Sequence, residues 1–393
     1  MTARVVIVGA SLGGLRTAET LRAKGFEGEI VLVGAEEHPP YNRPPLSKEV
    51  LRGEADHESL AFKPSRPLDP VEWRLGRTAV AADLTARTVT LDDGNTLDYD
   101  VLVVATGVRP RHLPSLGGKA GVFSLRDVSD AKALGAVLRP GAHLTVIGSG
   151  FVGCEVAASA RKLGVEVDVV TMEAAPLAAA IGPQLASVLF ERHLENGVTF
   201  HLEDGLAGYD PDAHEVTLSS GTRLRSDAVL EAIGSAPNVE WLDGNGLDLS
   251  DGLHCDDTLA VVGADGVYAV GDVARFPNAR FDDAARRVEH WNVAVETGRR
   301  AAAAIAARLS GGAVELPAFR PMPTFWSNQY DIRLQAYGMT RLADTVEALD
   351  EELGGAPIMA YRRDGDLVAV AALTNGPRLL ELSREIGTVA AVG

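Results

Sequence analysis

The sequence predicts an α/β protein with two Rossmann-like dinucleotide-binding domains and a smaller α+β domain at the C-terminal end. Three observations predict it. A strand, a glycine-rich turn and a helix open the chain between residues 5 and 24. The same grammar starts again between residues 143 and 170. Beyond residue 317 the texture changes to short apolar strands with a tight turn.

In order, the apolar run Val5–Val8 leads through glycines into a helix over Leu15–Lys24 and an apolar strand Ile30–Val33, a βαβ opening that implies parallel strands. Pro39-Pro40 and Pro44-Pro45 then make a stiff loop, with no helix or central strand before about Ser47. A strand Thr88–Leu91 with the turn Asp92-Asp93-Gly94 precedes a buried-type strand Val101–Ala105, which ends in Thr106-Gly107. The second unit repeats this: strand His143–Ile147, glycine turn, alanine-rich helix Glu155–Leu163, strand Val165–Val170, and an apolar strand Ala228–Ile233 ending at Gly234. A short strand Gly266–Val270 runs into Gly271-Asp272, and Val293–Leu309 reads as a helix with an alanine face. Segments Leu334–Tyr337, Ile358–Tyr361 and Leu367–Leu373, the last two joined at Asp364-Gly365, make the final strands.

Composition narrows the function classes. At 393 residues the chain is long enough for two or three well-buried domains, and 46% apolar with 23% charged residues is globular. The longest apolar runs, such as Ala301–Ala307, fall far short of the roughly 18 residues of a membrane span. Met1 leads straight into a strand pattern with no secretory succession, which predicts a cytoplasmic protein. Cys154 and Cys255 are the two cysteines; without a CxxC pair they exclude a disulfide framework, a four-ligand zinc site and thiol relay chemistry, and no metal site is expected. A net charge of −17 opposes nucleic-acid binding, which needs clustered cations facing phosphates.

The first turn reads Gly9-Ala10-Ser11-Leu12-Gly13-Gly14, a GxGxxG pattern with serine at the second glycine. Gly9 permits the tight turn, Ser11 is small enough for a pyrophosphate to approach the helix N-terminus, and Gly14 allows close helix packing. Glu36, or Glu37 beside it, follows the second strand where a carboxylate holds ribose hydroxyls. The second turn is complete: Gly148-Ser149-Gly150-Phe151-Val152-Gly153, with Glu173 closing its second strand. Glu173 would accept ribose hydrogen bonds and repel a 2′-phosphate, favouring NADH over NADPH.

These turns, together with Pro40-Tyr41-Asn42-Arg43-Pro44-Pro45-Leu46-Ser47-Lys48, Ala105-Thr106-Gly107, Gly271-Asp272, Glu289-His290-Trp291 and Phe325-Trp326-Ser327, resemble the two-dinucleotide flavoprotein reductases. Within them the chain is similar to the putidaredoxin reductase-like NADH:ferredoxin reductases of bacterial cytochrome P450 and ring-hydroxylating dioxygenase systems. The resemblance implies FAD and NADH as cofactors. It divides the chain into an FAD-binding domain at 1–110, an NAD(P)H-binding domain at 111–238, a second FAD-binding segment at 239–316 and a C-terminal domain at 317–393. For FAD it implies Gly9, Ser11, Gly14, Glu36, Arg43, Lys48, Thr106, Gly107, Arg126, Asp272, Glu289, Trp291 and Trp326; for NAD, Gly148, Gly150, Val152, Gly153, Glu155, Glu173 and Gly234.

Lys48 and Glu155 are the implied catalytic residues, joined as an ion pair with Lys48 near the flavin edge where hydride arrives. Asp272 would hold the ribityl chain, and Trp291 and Trp326 would limit water at the ring. Each has a plainer reading: Lys48 and Arg43 as solvated loop cations, Glu155 as a glutamate answering the helix macrodipole, Asp272 as a helix cap, the tryptophans as core, Glu173 as surface. Tyr41-Asn42-Arg43 stands where the disulfide and peroxide reductases carry an active cysteine, and Cys154 reads as an inert buried residue.

Without thiols, the natural exit for electrons is a [2Fe-2S] ferredoxin, docking near Arg299, with Arg300 and Arg308 completing a basic patch on a monomer or homodimer. The competing readings are an NADH oxidase, peroxidase or quinone-type reductase, and a non-enzymatic NADH-responsive flavoprotein sensor.

Overall fold

The computed structural model describes residues 3–64, 68, 70–311 and 315–387. The chain divides into two compact units. The first comprises the stretch ending at Asn42, Ala61–Arg109 and Ala236–Thr324; the second comprises Arg43–Leu60, Pro110–Ser235 and the chain from Phe325 onward. Among the described residues no helix is long and apolar enough to cross a membrane.

In the first unit a five-stranded parallel sheet runs in the order Val267–Ala269, Val101–Val104, Arg4–Val8, Glu29–Gly34, Glu72–Leu75. Its central strands are buried on both faces, which is why they read as unbroken Val, Ile and Leu rather than alternating. The helix Leu12–Ala23 follows the first strand, and Trp291–Leu309 packs against it so closely that a Cβ at Gly298 would stand 2.8 Å from the Gly13 carbonyl oxygen.

The second unit repeats the plan, with parallel strands in the order Val198–His201, Glu166–Val170, His143–Ile147, Ala228–Glu231, Val122–Phe123. The repeat extends to register. Arg4 lies opposite Glu29 and Val5 opposite Val101; His143 lies opposite Glu166 and Leu144 opposite Ala228. Each unit also inserts a three-stranded antiparallel sheet before its returning central strand, at Ala79–Asp83, Thr88–Leu91, Thr96–Asp98 and at Leu206–Asp210, Glu215–Leu218, Arg223–Arg225.

The second unit ends in a five-stranded sheet ordered Thr324–Gln329, Ile332–Gly338, Asp366–Ala372, Pro357–Arg363, Thr345–Glu352, with the helix Pro377–Ser383. This is the expected smaller α+β portion. It is tied to the helix Ala178–Glu195 by the Tyr361 hydroxyl, which donates to Ile181 O at 2.6 Å, and by Thr340 Oγ1, which donates to Ala180 O at 2.7 Å.

Several local expectations are corrected. The two glycine-turn helices start at Leu12 and Phe151, inside the turns rather than at Leu15 and Glu155, so Glu155 sits in the second helical turn. The proline-rich loop contains a 3₁₀ helix, Pro44–Ser47, because proline is compatible with the first helical positions, where the missing N–H has no partner to lose. Residues 43–60 pack with the second unit instead of staying with 1–42. Leu51 is 3% exposed in that unit's core beside Leu134 and Val156, and Ser159 Oγ donates to Ser47 O at 2.7 Å.

Candidate functional site: two glycine turns and a buried ion pair

Because the strands of the first unit are parallel, whatever follows each strand gathers at one edge of the sheet. Gly9, Glu36, Thr106-Gly107 and Asp272 all follow such strands. Gly9 has φ +121, and its N–H donates to Val33 O at 2.8 Å; a Cβ there would lie 2.1 Å from Ala105 O. A Cβ at Gly14 would lie 2.0 Å from Gly9 O, so only glycine lets the helix close on the turn. Ser11 is the helix N-cap and makes no side-chain cap bond. Tyr41 donates to Glu36 at 2.5 Å and aims that carboxylate, whereas Glu37 is exposed. Thr106 Oγ1 donates to Asn238 O at 2.7 Å while Asn238 Nδ2 returns a bond to Thr106 O at 3.0 Å. Asp272 lies in the short 3₁₀ turn Gly271–Val273; Arg287 Nη1 donates to its backbone oxygen at 3.2 Å and to Glu289 Oε1 at 2.5 Å.

Trp291 is 37% exposed, with Nε1 donating to Asn42 Oδ1 at 3.0 Å and its ring 6.4 Å from that of Phe62, so the core reading of Trp291 does not hold. The edge therefore collects a glycine cradle against a helix N-terminus, a ribose-type carboxylate and a second acid, which fits a dinucleotide such as FAD.

The second unit has the same cradle. Gly148 N–H donates to Val170 O at 2.8 Å, its Cβ would lie 2.4 Å from Ala232 O, and a Cβ at Gly153 would lie 2.3 Å from Gly148 O. Gly150 caps the helix and Val152 is exposed in its first turn. Glu173 is exposed after its strand, and Gly234, φ +96, follows the strand Ala228–Glu231.

Also in the second unit, Lys48 Nζ lies 2.5 Å from Glu155 Oε2, with side chains 7% and 9% exposed. The ammonium also donates to Pro44 O and Ser47 Oγ, both at 3.1 Å, which uses all three of its donors. Ser47 Oγ donates to Glu155 Oε2 at 2.6 Å and Ser327 Oγ to Oε1 at 2.7 Å. Neither the solvated-cation reading of Lys48 nor the macrodipole reading of Glu155 describes this arrangement. Breaking such a buried pair by removing one partner costs about 3–5 kcal/mol.

Arg43 Nη1 donates to Arg126 O at 2.8 Å, and Arg126 N–H donates to Asp130 Oδ2 at 2.8 Å, so the structure brings Arg43 and Arg126 together. Trp326 is half-buried on the strand Thr324–Gln329.

The arginine patch is corrected. Arg299 is 60% exposed on its side chain, 3.5 Å from Glu296, but Arg300 is buried and donates to Asp257 O and Pro317 O at 2.8 Å, and Arg308 is paired with Asp265 at 2.8 Å. Cys154 is fully buried, and burial pushes its thiol well above the usual range; Cys255 is likewise buried and pushed up to about 12.

Sequence reasoning missed Asn238, Arg287, His193 and Gln329, and missed the hydrogen-bonding roles of Tyr41, Ser47 and Ser327. Ser327 and Gln329 carried a signal: two residues apart on a strand, they share a face, and both are buried. His193 lies inside an ordinary helix pattern and carried none.

Two register-matched glycine turns in one chain define a two-dinucleotide oxidoreductase fold. The chain belongs to the pyridine nucleotide-disulphide oxidoreductase family, which it matches over residues 3–298, and residues 324–391 match a reductase C-terminal domain. It is 37% identical over 347 residues to rhodocoxin reductase of Rhodococcus erythropolis, covering 87% of this chain and 79% of that protein. It is 35% identical to the ferredoxin reductase component of chlorobenzene dioxygenase from Cupriavidus sp. (strain PS12), covering 96% of this chain and 90% of that protein. Among solved structures it is similar to the covalent putidaredoxin reductase–putidaredoxin complex, with a TM-score of 0.88 and 31% identity over 98% of this chain and 93% of that one.

Proposed function

We propose that this chain is a cytoplasmic NADH-dependent ferredoxin reductase that uses FAD to deliver electrons to a [2Fe-2S] ferredoxin serving a cytochrome P450 or a ring-hydroxylating dioxygenase. The observation that carries the reading is the duplicated glycine cradle with a buried Lys48–Glu155 pair beside the second turn and no accessible thiol among the described residues. Relatives of similar length are named as ferredoxin reductase components of such systems, which supports the choice of acceptor.

The residues at the first sheet edge, Gly9, Ser11, Gly14, Glu36, Thr106, Gly107, Asp272, Glu289 and Trp291, would hold FAD, and Gly148, Gly150, Val152, Gly153, Glu173 and Gly234 of the second unit would hold NADH. FAD, when bound, accepts a hydride from the nicotinamide and returns its electrons one at a time. The chain's part is positional and electrostatic. The Lys48 ammonium supplies a fixed positive charge and Glu155 holds it in place, so no protein acid or base has to move for the transfer. Glu173 selects against a 2′-phosphate. Exposed Arg299 supplies the ferredoxin contact.

The test is an anaerobic NADH titration of the purified yellow protein, followed by mixing with [2Fe-2S] ferredoxins and recording cytochrome c reduction. Ferredoxin-dependent reduction is expected; a colourless protein that cannot be reconstituted with flavin overturns the reading. Lys48→Met should slow flavin reduction more than it weakens FAD binding.

A further inference from the structure

Glu155 is the end of a longer buried chain of hydrogen bonds in the second unit. Gln329 Nε2 donates to Ser327 Oγ at 3.0 Å, and Gln329 Oε1 lies 2.8 Å from His193 Nε2. His193 Nδ1 lies 3.0 Å from the Tyr330 hydroxyl, and Tyr330 lines a cavity of about 90 Å³ together with Lys48, Arg52, Ser159, Lys162 and Asn328. Gln329, Ser327 and His193 are 0%, 1% and 1% exposed.

The proton positions along this chain follow from the chemistry of its members. An amide oxygen only accepts, so His193 must carry its proton on Nε2. Burial also pushes the imidazole down to about 4, which leaves it neutral with Nδ1 as acceptor for the Tyr330 hydroxyl. Ser327 receives the Gln329 N–H and so turns its own hydrogen to Glu155 Oε1. Every bond therefore points the same way, toward Glu155, and Oε2 is left for Lys48 and Ser47.

We propose that Gln329 and His193 are positioning residues for the Lys48–Glu155 pair: by fixing the direction of the Ser327 hydroxyl they hold Glu155 in one rotamer as acceptor at both oxygens, and so hold the Lys48 ammonium in place. This rests on the assignment of that pair to hydride transfer. The chain is a lock rather than a proton wire, because a primary amide in its middle cannot hand a proton on without passing through its imidic acid form.

The experiment measures flavin reduction by NADH in stopped flow for the holoenzyme and for Gln329→Leu, Ser327→Ala and Ser327→Thr, with Lys48→Met as the control. Loss of the Ser327 hydrogen bond to the Glu155 carboxylate in Ser327→Ala, or of the donor that fixes its direction in Gln329→Leu, predicts a limiting reduction rate lowered on the order of 10-fold, with the NADH dissociation constant unchanged. Ser327→Thr, which keeps the hydroxyl, should restore the rate. An independent readout on the unmutated holoenzyme is the ¹⁵N NMR signature of His193, which must be a single neutral Nε2–H tautomer at pH 7; an Nδ1–H tautomer or an imidazolium overturns the proposal. If Lys48→Met is slow while Gln329→Leu and Ser327→Ala reduce at the unmutated rate, the positioning inference fails and the assignment of the pair stands. If Lys48→Met also reduces at the unmutated rate, both fall.

Discussion

Acid sensitivity of folding at His193 is the sharpest stability prediction. The ring packs edge-on to Phe200 and Tyr330, at interplanar angles of 75° and 74°, and bonds Gln329, and burial lowers its pKa from 6.5 to about 4. A group depressed in the folded state binds fewer protons there than in the unfolded chain between those two values. Its stabilising contribution is therefore complete above pH 6.5 and lost as pH falls toward 4. At about 1.4 kcal/mol per pH unit the full gap corresponds to ~3 kcal/mol, most of which is lost between pH 7 and pH 4.5. His193→Gln removes the titration. Urea unfolding of the two holoproteins, followed by circular dichroism across that range, should show the unfolding free energies of unmutated and His193→Gln protein converging by this amount as pH falls. Parallel curves would refute the reasoning, since every other carboxylate and histidine is common to both proteins.

Three further outcomes are expected. Gly9→Ala places a Cβ 2.1 Å from Ala105 O at φ +121, a strain of about 3 kcal/mol or more, and should abolish recovery of yellow protein; a flavin-bound variant with the original melting temperature would contradict this. Tyr361→Phe leaves the Ile181 carbonyl without its buried donor and should lower stability by about 1–3 kcal/mol without changing the rate of flavin reduction; an unaltered thermal midpoint would count against it. Cys154 and Cys255, both buried with raised pKa values, should not react with a chromogenic disulfide reagent in the native protein and should both react after denaturation; rapid native labelling would reopen thiol chemistry.

Legibility in the sequence followed the range of the interactions. Strands buried on both faces announce themselves as apolar runs, and the glycine turns are local steric necessities, so the two parallel sheets and their repeat could be read directly. Helix starts were misplaced by a few residues because Leu12-Gly13-Gly14 and Phe151-Val152-Gly153 look like turn, yet glycine is tolerated in a first helical turn that packs on a strand. The strand Thr345–Glu352 was missed because its side chains are mostly exposed and charged, an edge-strand composition that hides the period-two signal. At the site, Lys48 and Glu155 were legible through resemblance. The partners that saturate them were not: Ser47–Glu155 is 108 residues apart in sequence and Ser327–Glu155 is 172, and neither separation leaves a trace in a local pattern. Arg300 misled for a related reason, since nothing within a turn of it betrays that Asp257 and Pro317 draw it inward.

The placement of residues 43–60 has a consequence for anyone recombining such reductases. Lys48 is encoded within the first nucleotide-binding stretch but is paired with Glu155 of the other, and its neighbours Ser47 and Leu51 are held there by Ser159 and the Leu134–Val156 core. A chimera cut at the apparent boundary near residue 110 would pair a foreign lysine loop with a native socket. A graft of the nicotinamide half has to bring this eighteen-residue strap with it, Arg43 through Leu60, as an inseparable part of the module.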